Sequence, residues 1–271
     1  MVSVIIPTYN RAKTIMNSVN SVLNQSYKDI ELIVVDDCSV DDTEGVIAAV
    51  NDCRVKYIRT EVNGGAGTAR NVGIRAAASE LIAFQDSDDC WKPNKLEEQV
   101  KLINNHSEYG LVYTQMVCKY VDDERSDSYI PNETVADSEC SGYILKALLK
   151  RNYISTPTML IRRSVLEDVG YFDESFKCLE DWELVLRIAS KYQIGYVDKP
   201  LHIYKVANSD NVSSKVNNHF EAQCRIIAMY RNTLLENGLF NEVVGNMLAK
   251  AEEFGILKQV GKILELYLSN V

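Results

Sequence analysis

The sequence predicts an α/β fold, a mostly parallel sheet with flanking helices, followed by a C-terminal all-helical extension. Three observations carry this prediction. Short β-branched runs alternate with amphipathic stretches through the first half, each apolar run ends in a polar or acidic cluster, and from about residue 217 the pattern becomes continuously helical. Strands alternating with helices argue for parallel, doubly wound pairing, in which ligands bind beyond the carboxyl ends of the strands.

The elements follow in order. Residues 2–6 form a first strand bounded by Pro7, after which Ile15, Val19, Val22 and Leu23 share one helix face. A second strand at 30–35 ends in Asp36 and Asp37, and Asp41, Asp42 and Thr43 suit a helix cap. A third strand at 55–59, a turn at Asn63-Gly64-Gly65, an alanine-rich helix at 68–78 and a fourth strand at 81–85 come next. Leu96, Val100 and Ile103 mark the apolar face of a helix at 93–105, and Leu111, Tyr113, Gln115 and Val117 alternate as a strand with one wetter side. The acidic stretch 122–139 reads as a surface excursion. An apolar run at 159–161, a helix at 182–189 and two short strands at 194–197 and 201–204 complete a first unit, residues 1–215. The second unit, residues 216–271, has Ile226, Leu234, Phe240, Val244, Leu248, Phe254, Ile263 and Leu266 in its apolar set. That unit can pack back on the first, cover its cleft or join subunits, and so long an apolar set favours self-association.

Composition sets bounds on function. With 46% hydrophobic residues among 271, the chain can bury a large core. A net charge of -9 with no basic stripe argues against nucleic acid, so an anionic ligand must be held by local cations or a metal. Seven cysteines without a CxxC pair and three scattered histidines argue against zinc and fit a reducing cytoplasmic setting. Neither a leader peptide nor an apolar run long enough to span a bilayer is visible.

Five polar clusters sit where strands end or helices begin. Asp86-Ser87-Asp88-Asp89 gathers three carboxylates, which reads either as a solvated acidic turn or as a site for a hard divalent cation with oxygen ligands. Asp36-Asp37 is either a turn or an acceptor for the N3–H of uracil. Pro7-Thr8-Tyr9 could present Tyr9 for stacking on a base, although a turn tyrosine also packs plainly. The glycine-rich turn at 63–67 runs into a helix that brings Arg70, a cation in an otherwise acidic protein. Glu180-Asp181 opens a helix, where acids also simply meet the dipole.

Taken together, VSVIIPTYNR, IVVDDCSVDDT, NGGAGTARNVG, FQDSDDCWKP and LEDWELVLR resemble, in order and over residues 2–205, the family 2 inverting glycosyltransferases of the Rossmann-like GT-A fold. The resemblance implies transfer of a hexose or N-acetylhexosamine from a UDP-sugar to a hydroxyl of a glycan, glycolipid or glycoprotein, in bacterial surface polysaccharide or glycoconjugate synthesis. It implies that Thr8, Tyr9, Asp37 and Arg70 hold the nucleotide, Asp86 the ribose and Asp88 the metal, Mn²⁺ or Mg²⁺, as the DxD pair. Asp181 would be the catalytic base, removing the acceptor proton as the anomeric centre inverts. Lys205 suits a diphosphate contact, but His202 precedes Tyr204 where relatives carry a histidine later, so no histidine metal ligand follows. The implied setting is the cytoplasm or the inner face of the membrane, with the extension serving oligomerisation or the acceptor side.

Two alternatives stand beside this reading. A sugar nucleotidyltransferase needs a glycine-rich loop with Arg and Lys after the first strand, where this chain has Pro7-Thr8-Tyr9-Asn10. A non-catalytic nucleotide-sugar-binding or scaffold module would have no need of both Asp88 and Asp181.

Overall fold

The computed structural model describes residues 1–120, 126–206 and 216–269. Strands β1 (Val2–Thr8) and β2 (Ile30–Asp36) are buried at every position, as expected for parallel strands covered on both faces. They pair in parallel with each other, and β3 (Val55–Arg59) and β4 (Leu81–Phe84) extend the parallel set on either side. The crossovers run through α1 (Ile15–Leu23), α2 (Thr43–Ala48) and α3 (Ala66–Ala76). Beyond the two-residue β5 (Cys90–Trp91) and α4 (Lys95–Asn105) come β6 (Tyr109–Tyr120), β7 (Ser128–Ile130), α5 (Leu145–Lys150), β8 (Met159–Arg162), α6 (Arg163–Val169), α7 (Glu180–Ala189) and β9 (Gln193–Val206).

The sheet order is β3-β2-β1-β4-β8-β6-β9-β5, with β7 on the flank of β6. β8 runs antiparallel between β4 and β6, and β5 antiparallel to β9, so the sheet is mixed although most of its strands point one way. Strand succession moves outward from β1 through β2 to β3 and then returns to β4 on the other side. A crevice therefore opens between the carboxyl ends of β1 and β4, the usual ligand position in such sheets.

Several elements depart from the sequence reading for identifiable reasons. The two short strands expected at 194–204 are one, because a bulge against Gln115 and Met116 absorbs the turn-like Asp198-Lys199-Pro200. Within 122–139, residues 122–125 lie outside the described residues, but β7 pairs with β6 and Val135 is buried, so the excursion is anchored. The cap expected at Asp41-Asp42-Thr43 is present, made by Asp41, whose Oδ1 accepts the Thr43 N–H at 3.1 Å. Cys53 is exposed, and all seven cysteines are free.

Among the described residues the extension is four helices, α8 (Val216–Met229), α9 (Arg231–Glu236), α10 (Phe240–Glu253) and α11 (Leu257–Ser269). Gly238 (φ 68°) and Gly255 (φ 71°) provide the left-handed residues at which α9 and α10 stop. Phe220, Cys224, Ile227, Leu234 and Met247 share one apolar core with Trp182 and Leu148 of the sheet-bearing part. Most of the extension's apolar set packs back on this core, and Arg225 clasps Asp173 at 2.7 Å, while Met229, Leu235, Phe254, Leu257 and Leu266 stay exposed. Among the described residues no helix is long and apolar enough to cross a membrane.

Candidate active site

The crevice is a cleft of about 1180 Å³. Thr8, Tyr9, Asp37, Arg70, Asp86, Asp88 and Asp181, the seven residues singled out in the sequence, all line it, although they come from three strand ends and two helices. Three non-glycine residues in the left-handed region, Asn10 (φ 54°), Cys38 (φ 66°) and Leu179 (φ 59°), stand beside these site segments. Such backbone costs on the order of 1–3 kcal/mol each and is held in place only by surrounding structure. For Asn10 that structure is visible: its N–H donates to Ser39 Oγ and its Oδ1 accepts the Val40 N–H, both at 2.8 Å.

At the end of β1, Thr8 is buried, and its Oγ1 has no hydrogen-bond partner among the described residues. An unsatisfied buried hydroxyl costs about 1–3 kcal/mol, and one at the wall of a cleft is a natural contact for a ligand. Tyr9, next in the chain, is 45% exposed and free to stack. Asp37 accepts the N–H groups of Gly64 at 3.0 Å and Gly65 at 2.7 Å, which ties the end of β2 to the glycine turn. Gly65 has φ 89°, a conformation that favours glycine, so the turn reaches this carboxylate without strain. Oδ1 also lies 3.2 Å from the Thr60 hydroxyl, so it is Oδ2 that keeps a further lone pair for a ligand donor.

Arg70 is the surprise in charge terms. Only 5% exposed, it donates through Nη1 to Glu180 at 2.6 Å and through Nη2 to Asp86 at 2.9 Å. Burial opposes its charge, but the two carboxylates outweigh burial and raise its pKa above the ordinary value. The guanidinium is a strut between the loop after β4 and the start of α7, a partner sequence reasoning missed because Glu180 lies far along the chain. Its Nε has no partner among the described residues.

The acidic loop is graded by depth. Asp88 is partly exposed and lies 3.4 Å from Arg11. Burial, then Asp89 and Asp86, push its pKa upward against the pull of Arg11. Asp89 is buried; its Oδ1 accepts the Lys205 N–H at 3.1 Å, and its Oδ2 lies 3.2 Å from Nε2 of the fully buried His202. Burial and Asp86 push Asp89 up to about 8, and burial pushes His202 down to about 3. Raised carboxylate pKa values at Asp88 and Asp89, from burial first and from neighbouring carboxylates second, describe a site that a cation would relieve. Among the described residues no three His, Cys, Asp or Glu side chains converge as a complete metal cage. Mg²⁺ and Mn²⁺ at phosphate sites take one or two carboxylates and fill the remainder with water and phosphate oxygens, and this donor set fits that pattern.

Across the cleft, Asp181 sits in the first turn of α7, near Asn152 Nδ2 at 3.3 Å. Burial first, and then Glu180, push its pKa up to about 7 against the opposing pull of Arg70. A carboxylate with that pKa can take a proton near neutrality. Strand-end acids, a glycine turn and a carboxylate of raised pKa around one crevice make a polar site of the kind open α/β sheets use for ligands.

The match with known proteins is more particular. The family model described as Glycosyl transferase family 2 matches residues 3–170. An uncharacterized glycosyltransferase of Rickettsia conorii is 33% identical over 84% of this chain, and the match spans 37% of that protein's length. A UDP-Glc:alpha-D-GlcNAc-diphosphoundecaprenol beta-1,3-glucosyltransferase of Escherichia coli is 44% identical over 38% of this chain and 41% of its own. The structure of S. aureus TarS 1-349 in complex with UDP is similar with a TM-score of 0.70 at 26% identity, covering 92% of this chain and 72% of that one. A mannosyltransferase from Pyrobaculum calidifontis, in complex with GDP-Man and Mn2+, has the same fold, with a TM-score of 0.67 at 19% identity, covering 98% of this chain and 80% of that one. The chain belongs to glycosyl transferase family 2, and its fold is GT-A with C-terminal helices.

Proposed function

We propose that the chain is a metal-dependent inverting glycosyltransferase that moves a hexose or N-acetylhexosamine from a UDP-sugar to an acceptor hydroxyl at the cytoplasmic side. The observation that carries this reading is that Asp181, with its pKa pushed up to about 7, faces the same cleft as the Asp86–Asp88 acids. Thr8 Oγ1 and Tyr9 would meet the nucleotide, and Asp37 would accept from the base while its other lone pairs hold the glycine turn. Arg70 would act by holding Asp86 and α7 at a fixed separation while its charge offsets the loop's acids. Asp88, with Asp86 beside it, would hold Mn²⁺ or Mg²⁺. A bound divalent cation would neutralise the charge that develops on the departing diphosphate. Asp181 would take the acceptor's proton as its oxygen attacks the anomeric carbon opposite the leaving group, which inverts the configuration.

Residues 1–215 would form the catalytic unit, and 216–271 a supporting unit whose exposed Met229, Leu235 and Phe254 favour self-association. Light scattering at micromolar concentration tests that part, and a monomer mass rejects it. For the activity, incubation with UDP-sugars and Mn²⁺ should release UDP, and Asp181→Asn should lose turnover while still binding UDP. Normal turnover by that variant would remove Asp181 from the role of base.

A further inference from the structure

The protein grips Asp181 through one oxygen in particular. Asn152 Nδ2 donates to its Oδ1 at 3.3 Å, and the Trp182 N–H donates to the same atom at 2.7 Å. A carboxylate oxygen has two lone-pair directions, so these two donors fill Oδ1. The Thr156 backbone also bonds the carboxylate, which engages at most one of the two directions of Oδ2. Asn152 is itself oriented: its Oδ1 accepts the Ile154 N–H at 3.2 Å, a turn that points the amide nitrogen at Asp181. The residues that follow it are fixed as well, since Tyr153 and Ile154 are buried and the Tyr153 hydroxyl donates to the Glu139 carbonyl. Asn152 and Asp181 both line the cleft, although they lie 29 residues apart in the chain.

We propose that Asn152 is the positioning residue of the base: by occupying Oδ1 it fixes the plane of the Asp181 carboxylate and leaves Oδ2 as the oxygen that meets the acceptor. The proposal rests on the reading of Asp181 as base and adds which oxygen acts and what aims it. In that step Oδ2 takes the hydroxyl proton and the acceptor oxygen bonds the anomeric carbon, while the bond to the diphosphate breaks and its electron pair leaves on the phosphate oxygen. A carboxylate free to turn would meet the hydroxyl only part of the time, and a misplacement of about 1 Å can cost on the order of a hundredfold in rate. A neutral amide suits the task, because a cationic donor at this place would pull the carboxylate's pKa down and blunt it as a base. The charged and titratable groups that act on Asp181 are Glu180 beside it, Cys178 in the loop before α7 and Arg70 from α3.

The test follows the Asp181 carboxyl by carbon NMR in aspartate-labelled protein, its signal identified by loss in Asp181→Asn. Asn152→Asp keeps the volume and the turn to Ile154 but replaces the donor by a second carboxylate, and it should raise the Asp181 midpoint by about 1 pH unit or more. Asn152→Ala should raise it by about half a pH unit, the share of one neutral donor. In UDP-release assays with UDP-sugars and Mn²⁺, both variants should lower kcat about ten- to a hundredfold at pH 7, with the KM for the UDP-sugar within about twofold of wild type. Asn152→Ala also loses the turn, so Asn152→Asp decides the matter if the alanine variant fails to fold. An Asp181 midpoint unchanged in the folded variants overturns the proposal, as does a raised KM with kcat intact, which would make Asn152 a substrate contact. Absence of UDP release by the wild-type protein would instead strike the transferase reading, and the NMR titration, which needs no substrate, would still show whether Asn152 governs Asp181.

Discussion

Replacing Asp181 with asparagine keeps the volume of the side chain and one oxygen for the Asn152 Nδ2 and Trp182 N–H donors but removes a carboxylate that burial holds against its preference. The pKa of Asp181 moves from 3.8 to about 7 on folding, chiefly through burial. Because the folded value lies above the unfolded one, ionisation weakens the fold: the associated stability is complete below about pH 4 and is lost as pH rises through 7. At about 1.36 kcal/mol for each pKa unit, the ionised Asp181 costs on the order of 4 kcal/mol at pH 8. Asp181→Asn should therefore be more stable than wild type at pH 8, by up to that amount, and nearly equal to it at pH 4. Urea denaturation at the two pH values measures the difference directly. A variant that is equally or less stable at pH 8 would refute the claim that Asp181 is a strained base, and with it the expected rise of kcat/KM from pH 6 to 8.

Other perturbations probe the frame around the base. Arg70→Ala leaves the partly exposed Asp86 and Glu180 without their buried partner and should cost about 1.5–3 kcal/mol by urea denaturation, whereas a loss below about 1 kcal/mol would mean that water replaces the strut. Gly73→Ala brings a Cβ within 2.4 Å of Ile5 Cγ2, so it should destabilise by about 1–3 kcal/mol in the same assay despite alanine's better helix propensity. Trp182→Phe removes the indole N–H that donates to the Leu148 carbonyl at 2.8 Å and should lower stability by about 1–3 kcal/mol, read from the thermal midpoint.

What was legible in the sequence was the part governed by local pattern. The strand-end acids could be placed around one crevice because parallel strands put all their carboxyl ends on one edge, whereas the glycine turn and the α7 acids joined them only through the family resemblance. Arg70 was visible as a cation but not as a strut, since its partners Asp86 and Glu180 depend on how α7 docks. The two-residue β5 is too short for any periodicity, and β9 looked interrupted at Pro200 because a bulge is a property of the paired strand. The extension read as one apolar periodicity, yet Gly238 and Gly255 divide it and its inner face joins the core. Its contribution of Asn218 and His219 to the cleft follows from that docking and has no local signal.

The central claim is that the acids after β4 recruit a divalent ion which in turn grips a nucleoside diphosphate. Titration calorimetry of UDP into the protein, with and without Mn²⁺, and again with Asp88→Asn, tests it most directly. The account predicts binding that strengthens at least tenfold with Mn²⁺ in the wild type and loses that gain in the variant. Equal affinity in all of these titrations would contradict it.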